Sequence, residues 1–237
     1  MTRMRRTVRA GVVATGSAVV LAWALSACGS SSAGPASSPA GPASHDPEAE
    51  LIDVMIARES IVNRGGSFTV EDLFAKSGGV DSFRAEVVEV TAGKAFNDVS
   101  TDKDPHAEEV SFDDDAADWR TFHVRVRVLD VFGGDVTPNS EVTLGLGFGD
   151  DLSAEIVSGG LLSMDEIVVF TAPESDVFSY DPAVQAVLND GAFLSPVNGD
   201  TVPFPVLTDN GYSPKLIDAI DSLADLRAAS EARPSSA

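Results

Sequence analysis

The chain has 237 residues, of which 37 are acidic and 16 basic, so its formal net charge is -21 at pH 7, and it contains one cysteine. This excess of acid argues against nucleic-acid binding, which needs basic side chains to neutralise phosphates, and against charge-driven adhesion to anionic lipid headgroups. A single cysteine excludes an internal disulfide, so the fold must rest on a hydrophobic core.

The first 27 residues have the three parts of an export signal. Four basic residues and no acidic ones open the chain: Arg3, Arg5, Arg6 and Arg9. The apolar run at residues 10–25 is shorter than the roughly 20 apolar residues of a transmembrane helix, and Thr15, Gly16 and Ser17 interrupt it. We therefore predict a signal peptide at residues 1–27. Without this segment, the chain has 12 basic and 37 acidic residues, which gives a net charge of -25.

The apolar run closes on Leu25-Ser26-Ala27-Cys28, which resembles the lipobox of bacterial, in particular actinobacterial, lipoproteins. The resemblance implies that the Cys28 thiol is lipidated, that the chain is cut just before it, and that the new amino terminus is acylated. Several acyl chains together give stable attachment, here to the outer face of the cytoplasmic membrane. An ordinary signal peptide with a chance cysteine is the alternative.

Two export routes are compatible with this N-terminus. The pair Arg5-Arg6 is compatible with twin-arginine export, but Arg9 occupies a position where such signals usually have an apolar residue. We therefore predict the general secretory route.

Residues 28–45 contain the lipidated cysteine and a stretch rich in Ser, Pro, Gly and Ala. Such a composition cannot bury enough apolar surface to offset the cost of ordering it. We predict a flexible tether, with glycosylation of Ser31, Ser37 or Ser38 as a secondary interpretation. Residues 233–237 are predicted to be a disordered tail.

Residues 46–232 are predicted to form a single acidic, β-rich domain with helices at both ends. Asp46-Pro47 and Thr69 are typical helix starts, which gives a helical lead-in over residues 46–80. Ser213-Pro214 precedes apolar residues at helical spacing, which predicts a C-terminal helix over residues 213–230.

Between these helices, at residues 81–207, the hydrophobic pattern has the period of two that is typical of strands. Strands are predicted from residue 83 to 90, at 122–129, at 142–148 and at 166–170, with the second and third paired as a hairpin. Gly145, Gly147 and Gly149 predict curvature or a close-packed neighbour. A crossover at residues 150–163 carries at most one helical turn, residues 180–189 contain a short helix, and a last hairpin turns at Asn198-Gly199. The predicted fold is mainly β (β+α), a small curved antiparallel OB-like barrel with short flanking helices and a C-terminal helix.

A resemblance supports this fold. Residues 68–73, 83–93, 122–134 with 142–146, and 160–170 resemble a layout found in uncharacterised secreted and lipid-anchored proteins of Gram-positive bacteria. That layout is a short capped helix, a strand, a long loop, a strand ending in V-x-V-L-x-V-x-x-G, a further strand and a G-x-x-x-x-D-x-x-V-V-F strand. It implies an OB-like barrel, and those families have largely no assigned activity. This chain has Phe132-Gly133-Gly134 where they often have a Lys-Gly turn.

The acidic loop, residues 97–118, is the first candidate site. Calcium takes six to eight oxygen ligands, which an acidic loop can supply. The candidate ligands are Asp98, Asp102, Asp104, Asp113 and Asp115. Their spacing has no D-x-D-x-D-G register and no glutamate at the twelfth position, which excludes an EF-hand. The default interpretation is a solvated acidic loop without a cofactor.

The basic stripe, defined as His123, Arg125 and Arg127, is the second candidate site. These residues alternate with apolar ones on the second predicted strand, so they lie on one face. Guanidinium groups in such a place suit a ligand with carboxylate or phosphate groups. The default interpretation is that the stripe makes cross-strand pairs with Arg84 and Glu86 or with nearby acids.

The sequence offers little support for catalysis. It has no G-x-S-x-G, its one cysteine is assigned to lipid, and its three histidines form no H-x-x-x-H pair. We therefore predict a non-catalytic binding or accessory module whose partner is an envelope protein, a cell-wall polymer or a small ligand. The alternative is a calcium-dependent or hydrolytic envelope enzyme that uses the acidic loop.

Overall fold

The computed structural model describes residues 46–61, 69–74, 80–97, 108–149, 152–172 and 183–232. The chain divides into two units, Met1–Ala43 and Ser44–Ala237, and all described residues belong to the second. The predicted signal peptide, Cys28, the tether and the predicted tail at residues 233–237 lie outside the described residues.

Two helices precede the sheet, as predicted for the lead-in. They are α1 (Pro47–Ile61) and α2 (Val70–Phe74). The Asp46 carboxylate accepts hydrogen bonds from the backbone N–H groups of Glu48 and Ala49 at 3.2 and 3.3 Å. Thr69 and Asp72 cap α2 reciprocally, and the hydrogen bonds from Thr69 lower the pKa of the Asp72 carboxyl. Both predicted helix starts are therefore confirmed.

Seven strands form one mixed sheet in the described part of the chain. They are β1 (Asp81–Asn97), β2 (Glu108–Val110), β3 (Trp119–Gly133), β4 (Glu141–Gly149), β5 (Glu166–Ala172), β6 (Val184–Val187) and β7 (Leu194–Pro196). Their order is β2-β1-β3-β4-β6-β5-β7. The prediction of a mainly β fold with helices is confirmed, as is the pairing of β3 with β4.

The prediction of an entirely antiparallel arrangement was wrong at one pair, because β4 and β6 run parallel. The strand β1 also pairs with β5, so pairings run from β1 through β3, β4, β6 and β5 back to β1. Five strands that pair in such a cycle cannot all alternate in direction, because five is an odd number. At least one parallel pair is therefore unavoidable.

The crossover between β4 and β5 is a full helix, α3 (Ala154–Ser163), instead of the single turn expected. Ser153 caps it, since its Oγ accepts a hydrogen bond from the backbone N–H of Ile156 at 3.2 Å. The helix packs against α1. At their contact, a Cβ on Gly160 would lie 2.5 Å from the Cβ of Leu51, so the two helices approach each other closely.

Two local predictions near the end of the sheet were wrong. The region predicted as a short helix at 180–189 contains the strand β6, followed by a 3₁₀ turn at Leu188–Gly191. The last predicted hairpin has its first arm in β7 and its turn at the bridge between Asn198 and Thr201, but its second arm enters α4 (Pro205–Asp209) instead of a strand. Pro205 occupies a first-turn position of that helix, where its missing N–H costs no hydrogen bond.

The predicted C-terminal helix is two helices, α5 (Pro214–Ile217) and α6 (Leu223–Glu231). The break falls at Ser222, which is extended (φ -138°, ψ 158°) and caps α6 by accepting a hydrogen bond from the N–H of Asp225 at 3.1 Å. A serine that can cap a new helix competes with continuation of the previous one.

Aromatic contacts join the C-terminal segment to the sheet. The ring of Phe170 on β5 lies 5.8 Å from Phe74 of α2, 5.7 Å from Phe193 and 5.9 Å from Phe204. All four side chains are buried. One face of β5 is therefore covered by α2 and the segment before α4, and the core continues across that strand.

Candidate functional site

The basic stripe lies on β3 as predicted. Its residues alternate with Val124 and Val126, which are fully buried. His123 and Arg125 are half-buried, and Arg127 is exposed. The register places them opposite Thr91, Glu89 and Glu86 of β1, respectively. The stripe is therefore on the outward face of the sheet.

Arg125 contacts acids on both neighbouring strands. Its Nη2 donates to Glu89 Oε2 on β1 at 2.9 Å, and its Nη1 donates to both carboxylate oxygens of Glu141 on β4 at 3.2 Å. These bonds, the one to Glu89 most of all, raise the pKa of the Arg125 guanidinium. Because these side chains are substantially exposed, the two ion pairs fix the orientation of the Arg125 side chain and add little to the stability of the fold.

Two further cross-strand ion pairs extend the same pattern. Arg127 of β3 pairs with Glu86 of β1. Arg84 of β1 pairs with Glu166 of β5, with 3.4 Å between Nε and Oε2. The contacts of Arg125 and Arg127 thus match the cross-strand pairing interpretation, and an anionic ligand at the stripe would have to displace carboxylates.

His123 lies further along the same strand. The hydroxyl of Thr91 on β1 donates to the carbonyl oxygen of His123 at 3.5 Å, and His123 also faces Gly145 on β4. Next to it, the hydroxyl of Thr121 accepts a hydrogen bond from the Lys94 N–H at 2.7 Å and donates to the Lys94 carbonyl at 2.8 Å. These bonds fix β3 against a bulge of β1.

The described part of the acidic loop contains two of its five candidate ligands. Asp113 and Asp115 are exposed in the turn before β3. Asp98, Asp102 and Asp104 lie outside the described residues. Among the residues that are described, no group of three His, Cys, Asp or Glu side chains is placed to hold a metal ion.

Arg120 organises the turn before β3, a role that the sequence analysis missed. Its guanidinium donates to the carbonyl oxygens of Phe112, Ala117 and Asp114 at 2.9, 3.0 and 2.9 Å. Three carbonyl groups that point to one arginine make the turn a fixed feature of the surface. No pattern of residue types in the sequence predicts such a contact, because every residue has a carbonyl group.

Trp119 is the second residue that the sequence analysis missed. A Cβ on Gly147 would lie 2.5 Å from Cζ2 of Trp119, so the indole ring lies directly on this glycine of β4. The prediction of a close-packed neighbour at the glycines of β4 is thus confirmed at Gly147. The ring covers the outward face of β4 beside the stripe.

Comparisons of the chain with models of protein families, with curated proteins and with solved structures gave no match. No helix among the described residues is long and apolar enough to cross a membrane.

Proposed function

We propose that this chain is a lipid-anchored extracytoplasmic protein of the bacterial envelope that acts as a non-catalytic binding or accessory module. The observation that carries the proposal is the linear order of its parts. A basic and apolar leader ends in Leu25-Ser26-Ala27-Cys28, a Ser/Pro-rich stretch follows, and a separate unit begins at Ser44. This order is the one expected for a domain held at a membrane through a tether.

The charge of the chain supports attachment by lipid. With residues 1–27 removed, the chain has 12 basic and 37 acidic residues. Such a chain is repelled by anionic headgroups, so the domain gains no membrane affinity from charge. Acyl chains contribute about 0.8 kcal/mol per buried CH₂, and two or more of them give stable anchoring.

We further propose that the domain is an OB-like barrel. Two observations support this: the cyclic pairing of β1, β3, β4, β6 and β5, which includes the parallel pair β4–β6, and the helix α3 between β4 and β5. Barrels of this kind present the outer faces of their strands to partners. The outward faces of β1 and β3 offer such a surface here.

The anchoring proposal is tested with a substitution at Cys28. Cys28→Ala should abolish the incorporation of labelled fatty acid and leave the chain uncleaved or shed from the membrane fraction. Ser31→Ala, three residues further along, is the matched control and should be labelled like the unaltered chain. Labelling of the Cys28→Ala chain would contradict the proposal.

A further inference from the structure

One edge of β1 has a gap between two partner strands. Along its first edge, β1 pairs with β3 from Ser82 to Phe96. Along the second edge it pairs with β5 at residues 81–86 and with β2 at residues 95–97. Residues 88–94 lie between them, and no strand in the described part of the chain pairs with this second edge there.

The register shows which backbone groups face the gap. The backbone N–H of Val128 on β3 donates to the carbonyl of Ser140, and its carbonyl accepts from the N–H of Asn139, both at 2.9 Å. The backbone groups of Val128 therefore point toward β4. Backbone N–H and C=O groups alternate between the two edges of a strand, so those of His123 and Arg125 point toward β1. The residues opposite them on β1 are Thr91 and Glu89, whose backbone groups point toward β3. The N–H and C=O groups of Val90 and Ala92 therefore point away from β3 and into the gap. Among the described residues, no backbone hydrogen bond to these four groups occurs on that side.

The β5 end of the gap carries exposed apolar surface. Val87 donates a hydrogen bond to the carbonyl of Asp165 at 2.8 Å, and this bond closes the pairing with β5. Val88 follows Val87, and Leu162 precedes Asp165 by three residues. Val88 and Leu162, at 37% and 48% exposure, are the large apolar side chains most open to solvent among the described residues.

Exposed acidic side chains lie at both ends of the gap. Asp165 is exposed at the β5 end, and Glu108 and Glu109 are exposed on β2 at the other end. Lys94 is paired with Glu109. The charge at the gap is thus negative, like that of the whole chain, and is complementary to a basic partner.

We propose that this gap binds an extended, basic segment of a partner protein, which adds as a short strand to the second edge of β1. Bulges at residues 87–89 and 92–95 leave four residues in regular register, so the added strand spans about four residues. A second copy of the chain is a less suitable occupant, because its net charge is also negative. This inference names a partner class for the binding module proposed above and rests on that proposal.

The experiment uses the full chain in detergent and a fluorescent peptide of alternating lysine and valine, seven residues long. A second peptide of the same sequence carries an N-methyl group on every backbone amide, so it keeps its charge but has no backbone N–H to donate along either edge. We expect saturable binding of the first peptide and binding of the second that is weaker by about tenfold or more, since about two hydrogen bonds are lost. Hydrogen exchange should slow at the amides of Val90 and Ala92.

Asp165→Asn tests the charge. Asn tolerates the left-handed backbone at this position (φ 58°), and the substitution should weaken binding of the first peptide by about threefold. Asp135→Asn, at an exposed acid in the turn after β3, is the matched control and should leave binding unchanged.

Equal affinity for the two peptides would overturn the proposal, because binding would then depend on charge alone. Absence of saturable binding at millimolar peptide would also overturn it, and normal fatty-acid labelling of the same sample would leave the anchoring proposal intact. A dimer that Ala92→Pro dissociates would overturn it in favour of a second copy.

Discussion

Gly160 shows how one residue sets the contact between two elements. It lies in α3 where this helix meets α1, and a Cβ there would come within 2.5 Å of the Leu51 Cβ and 2.7 Å of the Pro47 carbonyl oxygen. Backbone and Cβ atoms cannot move aside as a flexible side chain can. The neighbouring Gly159 differs, since a Cβ there would have its nearest contact with Pro47 Cβ at 3.6 Å, an ordinary van der Waals distance.

These two glycines give a matched pair of substitutions. Gly160→Ala should lower the free energy of unfolding by about 1 to 3 kcal/mol, because it overpacks the contact with α1. Gly159→Ala should leave stability unchanged or raise it by up to about 1 kcal/mol, since alanine favours the helix. Chemical denaturation of both variants measures the difference. Equal losses in both would show that the close approach of α1 is not the cause.

At the scale of elements, the turn before β3 depends on a side chain of the strand that follows it. The guanidinium of Arg120 binds three carbonyl groups of this turn, and Phe112 of the turn packs edge-on against Phe122 of β3 at 5.3 Å. The turn has backbone hydrogen bonds of its own, from Asp114 to Ser111 and from Ala117 to Asp114, both 3.0 Å. It is therefore expected to open less readily than a solvated loop.

Arg120→Lys tests this arrangement. Lysine keeps the charge, but its three donors lie on one nitrogen, so it cannot replace the spread of Nε, Nη1 and Nη2 over the three carbonyl groups. The amides of Asp114 and Ala117 should then exchange hydrogen faster, corresponding to a loss of about 1 to 3 kcal/mol in local opening. The amide of Val124, in the buried part of β3, should exchange as before. Arg127→Lys, at an exposed ion pair on the same strand, is the control and should change neither turn amide.

At the scale of the whole molecule, the dominant feature is its negative charge. The full chain has a net charge of -21, and the cross-strand pairs described above neutralise only a few acids. Like charges repel across the folded surface, and this repulsion opposes the compact state. Dissolved salt screens it over about 10 Å at 0.1 M.

The melting temperature should therefore depend on ionic strength. Raising NaCl from low to physiological concentration should increase it by roughly 2 to 4 °C, equivalent to about 1 kcal/mol for a protein of this size. Calcium at the same ionic strength should do no more than NaCl, since we predict no cofactor. Thermal unfolding of the full chain in detergent measures both. A calcium-specific increase, absent with NaCl, would instead favour a cation site in the acidic loop.

Some properties of this protein depend on linear patterns, and for these the sequence was enough. The helix starts at Asp46 and Thr69 follow from side chains that cap N–H groups two or three residues away. The strands β3 and β4 follow from an alternation of period two. Lipid attachment at Cys28 also rests on a linear pattern, a box of four residues, and it stays a prediction.

Tertiary structure decided the rest, because the partners are distant in sequence. From the sequence alone, Arg125 is a candidate for binding an anionic ligand. The strand register instead places Glu89 and Glu141, from two other strands, against its guanidinium. The segment 184–187 has apolar residues compatible with a helix, yet it becomes a strand because β4 and β5 offer unpaired edges on either side. Within the described part of the chain, the gap on the second edge of β1 arises because pairing with β5 stops at Glu86 and pairing with β2 starts at Ala95. No local pattern encodes these pairings, since each depends on where several distant segments lie at once.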